Sequence, residues 1–193
     1  MADVATYKKL HPPKPVLDRD SGKPHQGIYV PRHPEKVVGG QIVYRSGWEL
    51  SFSRWCDDNP GVIEWGGEPV SIQYRNPSAV DFDACRKLGA DPMNPLNWPI
   101  YNYYPDFYLK IRDDSVPTGE RRLLIEIKPK YQTERPIPPP PNAKLSEQKR
   151  YVNLAKTYAQ NIKKWEAAKA WSDLHGFEFK VYTEVTLGQL GII

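Results

Sequence analysis

Cysteine and histidine are scarce in this chain. Only Cys56 and Cys85, and His11, His25, His33 and His175, occur among 193 residues. Two isolated thiols suit a reducing compartment, and no Cys/His group has zinc-site spacing. The histidines show no triad or cluster spacing, so nucleophilic covalent catalysis finds little support. No apolar run approaches the ~20 residues of a membrane helix, so no membrane partner is expected. The first residues, MADVATYKKLHPPKP, lack the apolar stretch of a signal peptide. Proline, by contrast, is abundant at 20 residues.

The formal net charge of +4 conceals an asymmetry. Residues 37–127 carry nine basic and thirteen acidic side chains, whereas residues 128–169 carry ten and three. A basic segment directly after an acidic one suits a protein that holds phosphates beside metal-binding carboxylates. Charge alone favours a solvated helix face, and it is the neighbouring strand pattern that turns the reading towards nucleic acid.

That pattern lies in YYPDFYLKI and RLLIEIKPK. Tyr104, Phe107, Leu109 and Ile111 mark one strand, and the run from Leu123 to Ile127 marks a second. The short separation predicts a hairpin turning near SVPTGE. Asp106 precedes the first strand, while Glu126 and Lys128 close the second and point to one face, two residues apart. Two carboxylates and an ammonium converge, with the Ile127 carbonyl a further oxygen donor. Oxygen donors suit a hard divalent cation, Mg²⁺ or Mn²⁺, and the implied chemistry is phosphodiester hydrolysis. The bland alternative is an ordinary strand-surface ion pair between Glu126 and Lys128. Against it, a carboxylate inside an apolar run is costly to bury without compensation.

One domain is expected, with appendages. Residues 1–40 hold six prolines and no periodic apolar face, and they end at Gly39-Gly40; they read as an extended N-terminal arm. Residues 41–193 read as the folded domain. In it, Ser46 and Glu49 form a capping-box pattern ahead of a helix that Asn59-Pro60-Gly61 stops. Two short strands are expected around Gly66-Gly67. Residues 75–103 read as an insertion and residues 131–144 as a stiff polyproline linker. Tyr151, Leu154, Tyr158, Ile162, Trp165 and Ala168 then recur at helical spacing, with a break expected near Asn161 and Gly176 as the C-terminal cap. FEFKVYTE is a final strand. The fold class is α/β, a small mixed β-sheet flanked by helices.

YRSGWE, DDNPGVIEWGGE, YPDFYL, IEIKPK and KVYTE together resemble the head-completion nuclease family of contractile-tail phages. That family belongs to the PD-(D/E)xK superfamily and is similar to TnsA-type endonucleases. The resemblance covers roughly residues 40–193. It implies a restriction-endonuclease-like core, metal-dependent cleavage of double-stranded DNA, and a virion protein made in the host cytoplasm. It also implies a role in finishing the packaged head at the head–tail vertex. The N-terminal arm and residues 75–103 are longer than the family leads one to expect, and the arm's own composition, rich in proline and without a periodic apolar face, suits an extended contact on portal or neck proteins. A structural neck protein that keeps the fold unused, or a TnsA-like transposition or repair nuclease, are the rival readings. In the implied site Asp106, Glu126 and the Ile127 carbonyl hold the metal and Lys128 handles the attacking water. The resemblance also assigns Glu49 to the site, although its spacing from Ser46 is explained by capping alone. One side chain is not expected to fill both roles, and the resemblance favours the site. Arg45, Lys130, Lys149 and Arg150 are candidates to grip DNA phosphates, Lys144 is a weaker one, and Gln148 and Tyr151 could contact the substrate backbone.

Overall fold

A computed structural model describes residues 26–193. The expected arm therefore lies outside the described residues up to position 25. The described residues divide into two compact units, one of residues 26–71, 104–127 and 172–193, the other of residues 72–103 and 128–171.

The first unit is built on a four-stranded sheet. Its strands are β3 (Val62–Gly67), β6 (Phe107–Arg112), β7 (Glu120–Ile127) and β8 (Glu178–Tyr182), side by side in the order β3-β6-β7-β8. The first two pairings are antiparallel and β7–β8 is parallel, so the sheet is mixed, as expected. The β6–β7 hairpin turns over residues 113–119, where SVPTGE placed it. Alternation sends Phe107, Leu109, Leu123, Ile125 and Ile127 to one face, where they meet Phe52, Cys56, Trp65 and Leu187 in the core. Leu124, on the opposite face, is also fully buried. Burial on both faces is why β7 reads as a solid apolar run.

Helix α1 (Gly47–Asp58) covers the core face with Phe52, whose ring lies 4.8 Å from that of Phe107. Ser46 is its N-cap, and Asn59 ends it. A short helix at the C-terminal end, Glu184–Gln189, adds Leu187 to the same core.

The arm boundary at residue 40 is corrected. β1 (Gly27–Tyr29) pairs antiparallel with β2 (Ile42–Tyr44). Tyr29 Oη and the backbone N–H groups of Arg32 and His33 all donate to the Asp57 carboxylate, at 2.8, 2.7 and 3.0 Å. Lys36 Nζ donates to the carbonyls of Asp57 and Asn59 at 2.9 and 3.0 Å, which satisfies the open C-terminal end of α1. Val37 bridges to Trp65. That approach requires Gly66, since a Cβ there would fall 2.5 Å from the Val38 carbonyl oxygen. Composition missed all this because the partners lie 13 to 28 residues away.

The second unit has β4 (Ile72–Arg75) paired antiparallel with β5 (Ile100–Tyr103). The chain between them holds helix α2 (Phe82–Lys87), capped by Asp81, and two 3-10 turns. Helix α3 (Leu145–His175) runs 31 residues and is mostly in this unit. Residues 72–103 pack on it: Ser78 Oγ donates to the Lys156 carbonyl at 2.6 Å, and Gln160 Nε2 donates to Tyr74 Oη at 2.7 Å. Two expectations change here. The strand pair around Gly66-Gly67 is split between sheets, with both glycines inside β3. The break near Asn161 is absent, because α3 contains neither glycine nor proline and Asn161 is itself buried. Its end follows expectation: Gly176 takes φ +72°, and the Phe177 N–H returns to the Ser172 carbonyl at 2.9 Å.

Candidate active site

The β6–β7 register pairs Phe107 with Ile125. One further step sets Asp106 opposite Glu126, and both lie on the face away from the core side chains. The structure locks this juxtaposition. Asp106 Oδ2 accepts the Ile127 N–H at 2.7 Å. Pro105, fully buried, fixes the approach to Asp106 and cannot donate to the ladder itself. Glu126 is 2% exposed. Its position beside Val181 of the parallel neighbour β8 places it in the interior of the sheet rather than at an edge. Asp106, Glu126 and Ile127 are thus brought together in the first unit, as the sequence predicts.

Glu49 lies in the first turn of α1. Its Oε1 accepts Ser46 Oγ–H at 2.9 Å and its Oε2 accepts the Arg45 N–H at 2.7 Å, while Ser46 Oγ accepts the Glu49 N–H at 3.2 Å. Ser46 thus caps the helix, and Glu49 reaches back to the Ser46 hydroxyl and the Arg45 N–H, a variant of the expected capping box. An ionised carboxylate offers about four lone-pair positions, so a capping bond does not by itself exclude a role in the site.

Arg45 differs from its expected role on a phosphate. Its guanidinium is ion-paired with Glu68. Burial favours the neutral form, but the hydrogen bond and charge of Glu68, with the charges of Glu49 and Asp106, hold the Arg45 pKa above its ordinary value. Arg45 thereby reports that Glu49, Glu68 and Asp106 share one electrostatic neighbourhood. Glu68 escaped sequence reasoning. Its N–H donates to the Asp106 carbonyl at 3.0 Å, and its φ is +45°. The available signal was its position, a charged residue between Gly66-Gly67 and Pro69 at the end of a buried strand.

Lys128 follows Ile127 and opens the next segment of the second unit. Two residues of chain keep its Cα within about 7 Å of that of Glu126. Lys130, Lys149 and Arg150 also belong to that unit. Lys130 makes an exposed pair with Glu134 at 3.6 Å, and Lys149 and Arg150 are exposed in the first turns of α3. Arg150 and Tyr151 line a groove with Tyr131 and Arg135. Lys144 precedes α3, and Gln148 donates to the Ala143 carbonyl at 2.9 Å.

Among the described residues, no three His, Cys, Asp or Glu side chains form a ready metal cage. The donors that do converge are two carboxylates on neighbouring strands and a backbone carbonyl, all oxygen. That set fits Mg²⁺, which is commonly held by one or two carboxylates and completes its shell with water and phosphate.

A mixed sheet with an Asp entering one strand and a Glu closing its neighbour, backed by a helix with Glu in its first turn, defines an endonuclease-type α/β core. Residues 59–184 match the family described as TnsA-like endonuclease N terminal. That span includes Asp106, Glu126 and Lys128 and begins after Glu49. The chain is also 32% identical over 169 residues to the head completion nuclease of Enterobacteria phage T4, covering 86% of this chain and 96% of that protein. The chain belongs to this head-completion nuclease family, with a TnsA-like endonuclease domain.

Proposed function

We propose that the protein is a divalent-metal-dependent DNA endonuclease that serves phage head completion. The observation that carries this reading is the Asp106–Glu126 pair, set opposite by register and fixed by the 2.7 Å bond from the Ile127 N–H. Asp106, Glu126 and the Ile127 carbonyl would hold Mg²⁺ or Mn²⁺, which when bound lowers the pKa of a water and polarises a phosphate. Lys128 orients the attacking water, takes up its proton when neutral, and as an ammonium stabilises charge developing on the phosphate. Glu49, whose charge acts on Arg45 together with that of Asp106, would help to position the metal. Lys130, Lys149 and Arg150 supply phosphate contacts that read no base, so cleavage of double-stranded DNA should have low sequence preference.

The relative's name supports the biological setting. A role in head completion supports association with the virion, and we assign the protein to the head–tail vertex, with the N-terminal segment as its contact to portal or neck proteins. The test is incubation of purified protein with plasmid DNA in Mg²⁺, Mn²⁺ or excess EDTA. Nicking with either metal, loss in EDTA, and a loss of about 100- to 1,000-fold in Asp106→Asn are expected, on the scale of removing a charge-stabilising group from an active site. Undiminished cleavage by Asp106→Asn, or in EDTA, contradicts the reading.

A further inference from the structure

We propose that Arg45 and Glu68 are a positioning pair that ties the helix-borne Glu49 to the strand-borne Asp106; the inference rests on the nuclease reading above. The contacts form one continuous path within the first unit. Glu49 Oε2 accepts the Arg45 N–H at 2.7 Å. The Arg45 guanidinium is ion-paired with Glu68. The Glu68 N–H donates to the Asp106 carbonyl at 3.0 Å. Asp106 Oδ2 then accepts the N–H of Ile127, the residue after Glu126, at 2.7 Å. Three pieces of chain distant in sequence, the entry to α1, the exit from β3 and the β6–β7 pair, are joined through two side chains that sequence reasoning gave other roles or none.

The backbone supports a selected role for Glu68. Among the described residues it is the one non-glycine with positive φ. It also precedes Pro69, and a following proline disfavours helical-type conformations. Glycine would occupy this position with less strain, and two glycines stand immediately before it. A carboxylate held in a strained conformation and committed to a half-exposed arginine marks function more than stability. Stability is indeed a poor account of the pair. Arg45 is 50% and Glu68 30% exposed, and partly solvated ion pairs contribute little to folding. The contribution is geometric: the pair sets how far the Glu49 carboxylate lies from Asp106.

The experiment compares wild type with Glu68→Gly, Glu68→Gln, Arg45→Lys, Arg45→Met and Asp106→Asn. It measures melting temperature, kcat and KM for plasmid nicking, and Mn²⁺ affinity by titration calorimetry. Glu68→Gly should melt at or above the wild-type temperature, because it relieves the positive φ. Its kcat and Mn²⁺ affinity should nevertheless fall about 10- to 100-fold, the usual cost of losing a group that orients metal ligands, with KM for DNA unchanged. Glu68→Gln should show the loss without the gain in stability, and Arg45→Lys should retain more rate than Arg45→Met. Wild-type kcat and Mn²⁺ affinity in Glu68→Gly overturn the proposal. So does an Arg45→Met defect confined to KM, which would make Arg45 a DNA contact. If Asp106→Asn cleaves like wild type, the nuclease reading itself fails and the positioning role falls with it.

Discussion

The two units are held together by different forces. The first closes on aliphatic and aromatic side chains at or near zero exposure, with Phe52, Trp65 and Phe107 at the centre. The second buries fewer apolar side chains, among them Ile72, Tyr74, Tyr103 and Ala168, and adds polar and cation–aromatic contacts along α3. Lys163 stands over Trp98 at 5.9 Å, and Lys164 over Tyr74 and Tyr103 at 5.9 and 5.6 Å. It also leaves Phe82, Leu88, Met93, Leu96, Ile100 and Tyr101 exposed. On the proposed function the difference divides the work: the carboxylates proposed to hold a metal are mounted on the densely packed sheet, while the basic residues proposed to meet DNA are carried on a more polar scaffold.

The largest test of that contrast is Phe52→Ala. Phe52 is fully buried and touches the rings of Trp55, Phe107 and Tyr182. Its loss should destabilise the first unit by about 4 kcal/mol in denaturant titration. A cost below about 1 kcal/mol would show that the core is looser than its burial implies.

Asp57 gives the next effect. It is fully buried, and its burial opposes ionisation, yet the donors from Arg32, Tyr29 and His33 outweigh that and lower its pKa. A depressed carboxylate contributes stability that is present above its unfolded pKa, about 3.9, and is lost as pH falls through the folded value. Asp57→Ala should therefore cost about 3 kcal/mol at pH 7, with donors left unsatisfied. The gap to wild type should narrow as pH falls below about 4, where the unfolded-state carboxylate begins to protonate, and close once pH has passed the depressed folded value. A gap independent of pH would mean that residues 29–33 are held by packing instead.

The smallest effect belongs to the second unit. Tyr74→Phe removes the acceptor of the Gln160 amide while keeping the ring beneath Lys164. The expected loss is about 1 kcal/mol in the melting curve, with plasmid nicking unchanged. A loss as large as that of Phe52→Ala would erase the contrast between the units.

What could be read from sequence followed local pattern. The β6–β7 hairpin, Asp106 opposite Glu126, the Ser46 cap and the Gly176 terminus each rest on residues within a few positions or on one short turn. What could not be read rests on distant partners. Tyr29 and Val37 look like arm residues until Asp57 and Trp65 are beside them. Residues 75–103 look like an insertion until Ser78 and Tyr74 meet α3 some eighty positions on. Glu68 carries no periodic signal, and its importance comes from a backbone conformation and one arginine.

The central claim is that Asp106 and Glu126 bind a divalent cation, and thermal melting with added Mn²⁺ tests it without any substrate. A ligand that binds the folded state at a hundred times its Kd stabilises by about 2.7 kcal/mol. Wild-type protein should melt several degrees higher in saturating Mn²⁺, and EDTA should reverse the shift. Asp106→Asn and Glu126→Gln should remain folded and show no shift. An equal shift in wild type and both variants, or none in wild type, would contradict the account.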